Sequence, residues 1–560
     1  MPILQWLTRD EDIGSAARVP YRLLEEVPQL SAGDLTSGNI LIQGDNLEAL
    51  KALLPFYAGR VKCIYIDPPY NTGSAFEYYD DNLEHSQWLA MIWPRLELLR
   101  DFLAEDGLLF VQIDDNEVAY LTVIADEIFG RKNRVNTISV KMSESTGVKM
   151  AHAEKRLPKM KETILVYQRS RRPSFRPISV AVGSWNEEYK EILLGVGRED
   201  LDYIKTLLEE DTSDESAVAE VNEKFASAKI MSLSKYFKKN NIEGKAQDEF
   251  KWSNAWRIVQ AVGAGSIKER AIDRRVLSQD VSSLLSARKK LYIFKSNFDE
   301  TSRDPRIRIL FADKYLTYHP GDFWPDIKTT GGVGKEGGVE FPKGKKPERL
   351  IQRILEIHTN PGDLVLDSFL GSGTTAAVSH KMDRRYIGIE MGDHAVTHCA
   401  PRLNSVINGE RGGISESVGW TGGGGFRFYR LGPPVFDEAG QIRPDVRFPI
   451  LAAHMWFSET ERPLTGAMEG PFIGVHDGRA FALLYNGILG DKRPAGGNVL
   501  TRATLALIRA EIDRRAPGFA RDNPDHPLTV YGEQSRLTAA ALTRERITFK
   551  QTPYDVTARA

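Results

Sequence analysis

Asp67, Pro68, Pro69 and Tyr70 stand in succession at the end of the apolar run Val61–Ile66. Proline cannot donate to a sheet ladder and belongs at strand ends or edges, so the run reads as a strand that stops at Asp67. A carboxylate, a proline carbonyl held by a fixed φ and an aromatic face together suit a planar base with an exocyclic amine. Asp67 can accept one N–H of such an amine, adenine N6 being the example, and the Pro68 carbonyl can accept the other. Those two bonds draw the nitrogen lone pair out of conjugation and toward an electrophile, while Tyr70 offers its ring for stacking. A base inside a duplex reaches such a corner only by flipping out of its stack. Without context, the same four residues are also a proline-rich turn with Tyr70 as packing.

A second constellation lies far downstream. Residues 363–378, DLVLDSFLGSGTTAAV, read as strand, glycine turn and helix, with the helix starting at Thr374 or Thr375. Gly371-x-Gly373-x-x-Ala376 fits the dinucleotide fingerprint, and Glu390 ends the next strand 23 residues after Asp367. Glycines let a ligand approach the backbone, the helix start offers free N–H groups, and an acid at the next strand end can accept from ribose hydroxyls. The spacing leaves two nucleoside cofactors open, a dinucleotide or S-adenosylmethionine. A hydride-transferring enzyme would account for the glycines but not for Asp-Pro-Pro-Tyr or the basic blocks described below. A methyl sulfonium needs no further activation, so catalysis would be mostly positioning, with no metal and no covalent intermediate.

Elements that position these residues alternate between strand and helix. From about 40 to 170, NILIQGD, VKCIYID, LLFVQI and TILVYQR read as strands, with a helix at 86–104 and an Asp106-Gly107 turn before the third strand. The rhythm lapses from about 172 to 340 and resumes with a helix at 347–358 and the strands LVLD and YIGIE. The expected fold is therefore α/β, a doubly wound, mostly parallel sheet with an α+β insert and a further C-terminal α/β unit. The boundaries expected are an N-terminal extension 1–39, sheet halves 40–170 and 341–430, an insert 171–340 and a C-terminal unit 431–560.

The net charge of −2 hides an asymmetry. Residues 1–130 hold 8 Lys/Arg against 22 Asp/Glu, whereas residues 131–176 hold 13 against 3. Such a block can be a solvated face, but aromatics and prolines interleave here, which is the footprint of a polyanion-binding segment. Lys155, Arg156, Arg171, Arg172, Arg306 and Arg308 are the candidate DNA contacts. Cys63 and Cys399 are far apart and show no metal-ligand spacing, so small buried hydrophobes in a reducing compartment are expected. No apolar run approaches a membrane span and no signal peptide is visible, which makes the cytoplasm the expected location. No GxxxxGK[ST] occurs, so the chain carries no recognisable ATP motor.

DPPY at 67–70 followed by DSFLGSGTT at 367–375 resembles the amino-methyltransferases of DNA in the permuted beta-class order. QGDNLEAL (43–50), GLLFVQIDDNE (107–117), FPKGKKPERLI (341–351) and RRYIGIE (384–390) look like the accompanying motifs. The fold that the resemblance implies is a seven-stranded-type methyltransferase sheet, and the length and tail look like the modification subunit of type III restriction-modification systems. It implies a catalytic pocket of Asp67, Pro68, Pro69 and Tyr70. It also implies S-adenosylmethionine held by Asp367, Phe369, Gly371, Gly373 and Thr374, with its ribose on Glu390. Asp45 is expected at the cofactor's adenine, or as a plain strand-end aspartate. Lys346 is expected near the methionine end, or as a phosphate contact or solvated cap. The partners implied are double-stranded DNA, a second copy of the chain and an ATP-dependent restriction subunit. Asp before Pro-Pro favours adenine N6 over cytosine N4. A solitary methyltransferase and a catalytically silent DNA-recognition module are the competing expectations.

Overall fold

The computed structural model describes residues 3–71, 85–142, 157, 159–327, 333–341, 344–437, 442–443, 445–466, 468, 470–485, 498–522 and 526–552. The chain forms two compact units, residues 1–177 with 321–560, and residues 178–320.

The first unit is built on an eleven-stranded sheet. Its strands in chain order are β1 (Arg22–Glu26), β2 (Ala32–Gly33), β3 (Ile40–Gln43), β4 (Val61–Ile66), β5 (Leu103–Ile113), β6 (Arg134–Lys141), β7 (Lys161–Gln168), β8 (Phe323–Trp324), β9 (Leu364–Asp367), β10 (Arg385–Glu390) and β11 (Gly425–Pro434). The spatial order is β1-β11-β3-β10-β9-β4-β5-β7-β6-β8, with β2 also on β11. Strands β11, β3, β10, β9, β4 and β5 pair in parallel. Both faces of the central strands are covered, which is why β4 is apolar at every position except Lys62. Ile64 and Ile66 face one core with Leu50, Leu53, Trp88, Leu96 and Leu99. Cys63 and Tyr65 face the other with Leu350, Ile351, Ile354 and Leu355. The helices behind these cores are α1 (Asn46–Tyr57), α2 (His85–Phe102) and α3 (Glu348–His358). Helix α4 (Thr374–Lys381) follows β9 and is buried throughout.

The order of the middle strands explains the site. Strand β9 lies between β10 and β4, with Val365 opposite Cys63 and Leu366 opposite Ile64. Two strand ends carrying Asp67 and Asp367 are therefore neighbours, at the carboxyl edge where α/β sheets bind ligands.

The fold departs from the sequence pattern at three places. Asp106 and Gly107 do not interrupt the third strand. Val61 pairs with Leu103 and Cys63 with Leu108, so the intervening residues bulge within a continuous β5. A Cβ on Gly107 would lie 2.8 Å from the Val61 carbonyl. The strand 161–168 runs antiparallel to both β5 and β6, where the α/β rhythm suggested a parallel neighbour. The stretch 186–240, where the sequence shows no strand–helix rhythm, is divided among strands Glu191–Leu194 and Lys229–Ser232 and helices Arg198–Glu209, Glu215–Lys224 and Leu233–Lys239.

The second unit begins at 178 and ends at 320, inside the expected edges of 171 and 340. Residues just outside it are tied to the sheet unit: Arg176 N donates to the Ile357 carbonyl at 2.9 Å, and β8 pairs with β6. Within it, a six-stranded antiparallel sheet packs Leu193, Val259 and Ile309 against Leu201, Ile204 and Val221 of two helices. C-terminal residues form a four-stranded sheet around Arg479–Leu483 and Leu528–Gly532. Within the first unit they meet the N-terminal residues Tyr21 and Leu23, which share a core with Leu451, Trp456 and Ile473.

Candidate active site

The corner after β4 is assembled from distant residues. Pro69's carbonyl accepts from Trp88 Nε1 at 2.8 Å, which fixes the turn against α2. The Pro68 carbonyl and Asp67 Oδ1 accept no hydrogen bond among the described residues, and Oδ1 is buried. Consecutive residues at this strand end thus carry two acceptors without a partner among the described residues, where a buried polar group ordinarily has one. Asp67 Oδ2 accepts from Lys346 Nζ at 2.5 Å, and both side chains are nearly buried. Lys346 Nζ also lies 5.0 Å from the Tyr70 ring centroid. The Tyr70 hydroxyl donates to Glu162 Oε2 at 2.8 Å.

Burial works against the Asp67 charge and raises its pKa; Lys346 opposes that rise and Glu162 adds to it. Burial alone would pull Lys346 down, but Asp67 and then Glu162 more than offset it and hold the ammonium above its ordinary range. Among the described residues the cluster sets one lysine, Lys346, against two carboxyl groups, Asp67 and Glu162.

The loop after β9 is held largely by its own neighbours. Asp367 Oδ1 accepts from Phe369 N at 2.9 Å, and Oδ2 from Thr375 Oγ1 at 2.6 Å. Burial pushes the Asp367 carboxyl up to about 7. Gly371 and Gly373 have φ of 57° and 81°, which an L side chain rarely adopts, and a Cβ on Gly373 would lie 3.3 Å from Cys399 Cα. Gly371 N donates to Glu390 Oε2 at 2.7 Å, so the acid on β10 braces the turn. Burial raises the Glu390 pKa. Helix α4 begins at Thr374, whose hydroxyl donates to the Lys346 carbonyl at 3.2 Å. Lys346 therefore touches both constellations, through its side chain and its main chain. Arg402 Nη1 donates to the Ser372 carbonyl at 3.2 Å and to Thr374 Oγ1 at 2.8 Å. Its other nitrogen pairs with Glu348, which also holds Lys381, and all three side chains are fully buried.

Asp45 serves as the N-cap of α1, accepting from Leu47 N and Glu48 N at 2.9 and 3.1 Å, and it pairs with Arg95. Asn46, next to it, donates to the Ser368 carbonyl at 2.8 Å and ties α1 to the glycine loop. Lys346 is neither a solvated cap nor available to phosphate, being 9% exposed and bonded to Asp67.

Sequence reasoning missed Glu162 and Asn46, which the structure ties to Tyr70 and to the glycine loop. Glu162 could have been noticed as one of three acids among the 13 cations of residues 131–176.

The basic candidates are dispersed. Arg171 and Arg172 are exposed in the segment after β7. In the second unit, strand Arg306–Phe311 carries Arg306 and Arg308 on one face. Arg306 Nε donates to the Ala261 carbonyl, and the Arg308 guanidinium lies 4.8 Å from the Tyr292 ring centroid. Lys155 and Arg156 lie outside the described residues. The two cysteines are free and buried. No helix among the described residues is long and apolar enough to cross a membrane.

A family model described as DNA methylase matches residues 61–400. The chain is 35% identical over 433 residues to a probable type III restriction-modification enzyme HindVI Mod subunit of Haemophilus influenzae, covering 72% of this chain and 55% of that one. It is 28% identical over 374 residues to the type III restriction-modification enzyme EcoPI Mod subunit of Escherichia phage P1, covering 61% and 54%. The chain thus spans about half the length of these curated relatives. Among solved structures, a putative DNA modification methylase from Thermus thermophilus complexed with S-adenosyl-L-methionine matches at 12% identity and a TM-score of 0.29. That match covers 70% of this chain and 99% of that one.

Proposed function

Since the chain belongs to the DNA methylase family, we propose that it transfers a methyl group from S-adenosylmethionine to the N6 amine of an adenine flipped out of double-stranded DNA. The observation that carries this is the pair of free acceptors, Asp67 Oδ1 and the Pro68 carbonyl, beside the glycine loop. Asp67 Oδ1 and the Pro68 carbonyl each take one N–H of the amine, leaving the nitrogen lone pair directed away from the ring plane. The Tyr70 ring stacks on the base, worth about 1–3 kcal/mol for such contacts.

The cofactor fits the second strand end. The positive φ of Gly371 and Gly373 leaves the loop without side chains over the helix start, and Ser368 Oγ is buried with no partner among the described residues. Asp367, Phe369, Gly371, Gly373 and Thr374 would hold it, with Glu390 at its ribose. When bound, it supplies a methyl carbon on a sulfonium, whose bond to sulfur breaks as the bond to nitrogen forms. Asp67 Oδ1 holds the surplus amine proton until it leaves for solvent. Asp before Pro-Pro supports adenine over cytosine.

The relatives named as Mod subunits support a place in a type III restriction-modification system, with this chain recognising and modifying DNA as a dimer beside an ATP-dependent restriction subunit. The exposed Arg171 and Arg172, with Arg306 and Arg308 of the second unit, would contact phosphates or base edges.

Incubation with labelled S-adenosylmethionine and duplex DNA tests the reaction, and nucleoside analysis of the product identifies the base. Asp67→Ala is expected to lower turnover about 1000-fold, the scale of losing a preorganised polar contact in the transition state. Undiminished transfer by that variant would reject the assignment.

A further inference from the structure

Glu162 sits at the start of β7, on a strand the catalytic corner does not belong to, yet its carboxylate ends on Tyr70. Its Oε2 accepts from the Tyr70 hydroxyl at 2.8 Å and from Gln112 Nε2 at 2.5 Å. Gln112 is fully buried on β5, and its Oε1 accepts from the Tyr65 hydroxyl of β4 at 2.7 Å. A line of hydrogen bonds therefore runs from β4 through β5 and β7 and returns to the chain a few residues past the end of β4.

Two consequences follow from that line. The Tyr70 hydroxyl is already committed, so the side chain is left to act through its ring, and the ring's orientation is set by a carboxylate on another strand. The second consequence is electrostatic. Asp67 and Lys346 alone are a neutral pair, which offers little to a nitrogen that gains positive charge as it is methylated. Glu162 is the second carboxylate against that one ammonium, and it acts on both Asp67 and Lys346. Lys159, a second ammonium near Tyr70 among the described residues, at 5.8 Å from its ring centroid, is paired with Asp114 at 2.6 Å. Carboxylates are costly to bury, so a second one beside Asp67 calls for a compensating use.

We propose that Glu162 is a positioning residue for methyl transfer: it fixes the Tyr70 ring through its hydroxyl and keeps the Asp67–Lys346 cluster net negative toward the amine. A purely structural Glu162 would satisfy Gln112 and Tyr70 and do nothing for the reaction. The proposal rests on the methyltransferase reading above.

Glu162→Gln keeps size and an acceptor but removes the charge; Glu162→Ala removes both; Tyr70→Phe removes the hydroxyl and keeps the ring. Glu162→Gln is expected to lower kcat about 10–100-fold with the KM for S-adenosylmethionine unchanged within about twofold. The Glu162→Gln/Tyr70→Phe double variant should fall short of the product of the single losses, because the two share one hydrogen bond. A kcat for Glu162→Gln within about twofold of wild type, or a loss confined to KM, overturns the proposal; should Glu162→Ala fail to fold, Glu162→Gln decides alone. Carbon-13 tyrosine NMR reads the positioning separately from turnover: the Tyr70 ring signals should shift and sharpen in Glu162→Gln. Wild-type protein that methylates no DNA, together with this NMR change in Glu162→Gln, would reject the methyltransferase reading while leaving the hold of Glu162 on the Tyr70 ring standing. Unchanged Tyr70 signals would reject the positioning role whatever the activity.

Discussion

Asp67 and Asp367 end neighbouring strands of one sheet, and both are buried, yet they are held in opposite ways. Asp367 takes neutral donors from within eight positions of itself, Phe369 N and Thr375 Oγ1. Asp67 takes an ammonium from 279 positions away and leaves its second oxygen open. Neutral donors leave the Asp367 carboxyl near 7, poised between forms. At Asp67 burial also raises the carboxyl, but an ionic partner, Lys346, opposes that rise and favours the charged form that the proposed amine-accepting role needs. The difference separates a loop that carries its own bracing from a corner that exists only once three other elements have arrived.

Among changes to the partners that hold the two aspartates, removing the ammonium should give the largest effect. Lys346→Met leaves Asp67 and Glu162 facing each other without their cation, and breaking a buried pair costs about 3–5 kcal/mol. Burial already raises the Asp67 pKa, and loss of Lys346 raises it further, so a larger fraction is protonated at neutral pH. We expect methyl transfer by Lys346→Met to fall about 100-fold at about pH 7 and to recover in part toward about pH 9. A pH profile that superimposes on the wild-type one would erase the distinction drawn between the two aspartates.

Asp367→Asn should act in the other direction on stability. The folded pKa of about 7 lies above the ordinary aspartate value of 3.8, so ionisation opposes folding. That penalty is absent below about pH 4, grows as pH rises to about 7 and is complete above it. A rise of that size corresponds to roughly 4 kcal/mol, of which the two weakened hydrogen bonds would return roughly 2. Asp367→Asn should therefore be about 2 kcal/mol more stable than wild type at about pH 8, with no such gain at about pH 4, while binding S-adenosylmethionine more weakly. Thermal unfolding at the two pH values checks this; equal pH dependence in both proteins would show Asp367 to be ionised at no cost.

The same contrast accounts for what could be read from residues alone. The glycine loop was legible because its geometry is made by residues a few positions apart: Asp367, the two positive-φ glycines, and the helix start at Thr374. The strand 61–66 was legible because both of its faces are buried, and its Asp-Pro-Pro end could only be a strand terminus. Lys346 could be placed near the site but its partner could not, since nothing local to FPKGKKPERL distinguishes an ammonium that caps a helix from one that reaches another strand. Glu162 was invisible for the same reason, its bonds to Tyr70 and Gln112 spanning 92 and 50 positions. The continuous β5 was misjudged because Asp-Gly is a turn signal only where no neighbour demands a bulge, and the neighbour here is Val61. The antiparallel β7 has the same apolar run as a parallel strand, and a run buried on both faces carries no mark of its direction.

Thr375→Val should give the smallest effect, and it asks whether the two aspartates are independent at all. The substitution removes the hydroxyl that donates to Asp367 Oδ2 and keeps the side-chain shape, at a cost of about 1 kcal/mol. Loss of that donor raises the Asp367 pKa further, because a hydrogen bond to the charged form is what holds it down against burial. Asp67 also acts on Asp367, raising its pKa, so the two carboxyls share a field. If Lys346 screens Asp67 as its 2.5 Å contact requires, carboxyl signals followed by NMR should show Asp367 moving up by as much as about one pH unit while Asp67 stays in place. Joint movement would make them one coupled pair whose titration belongs to neither residue. In that case the cofactor loop and the catalytic corner would be a single electrostatic device, and a change at Thr375 would alter the pH dependence of methyl transfer without touching the amine's acceptors.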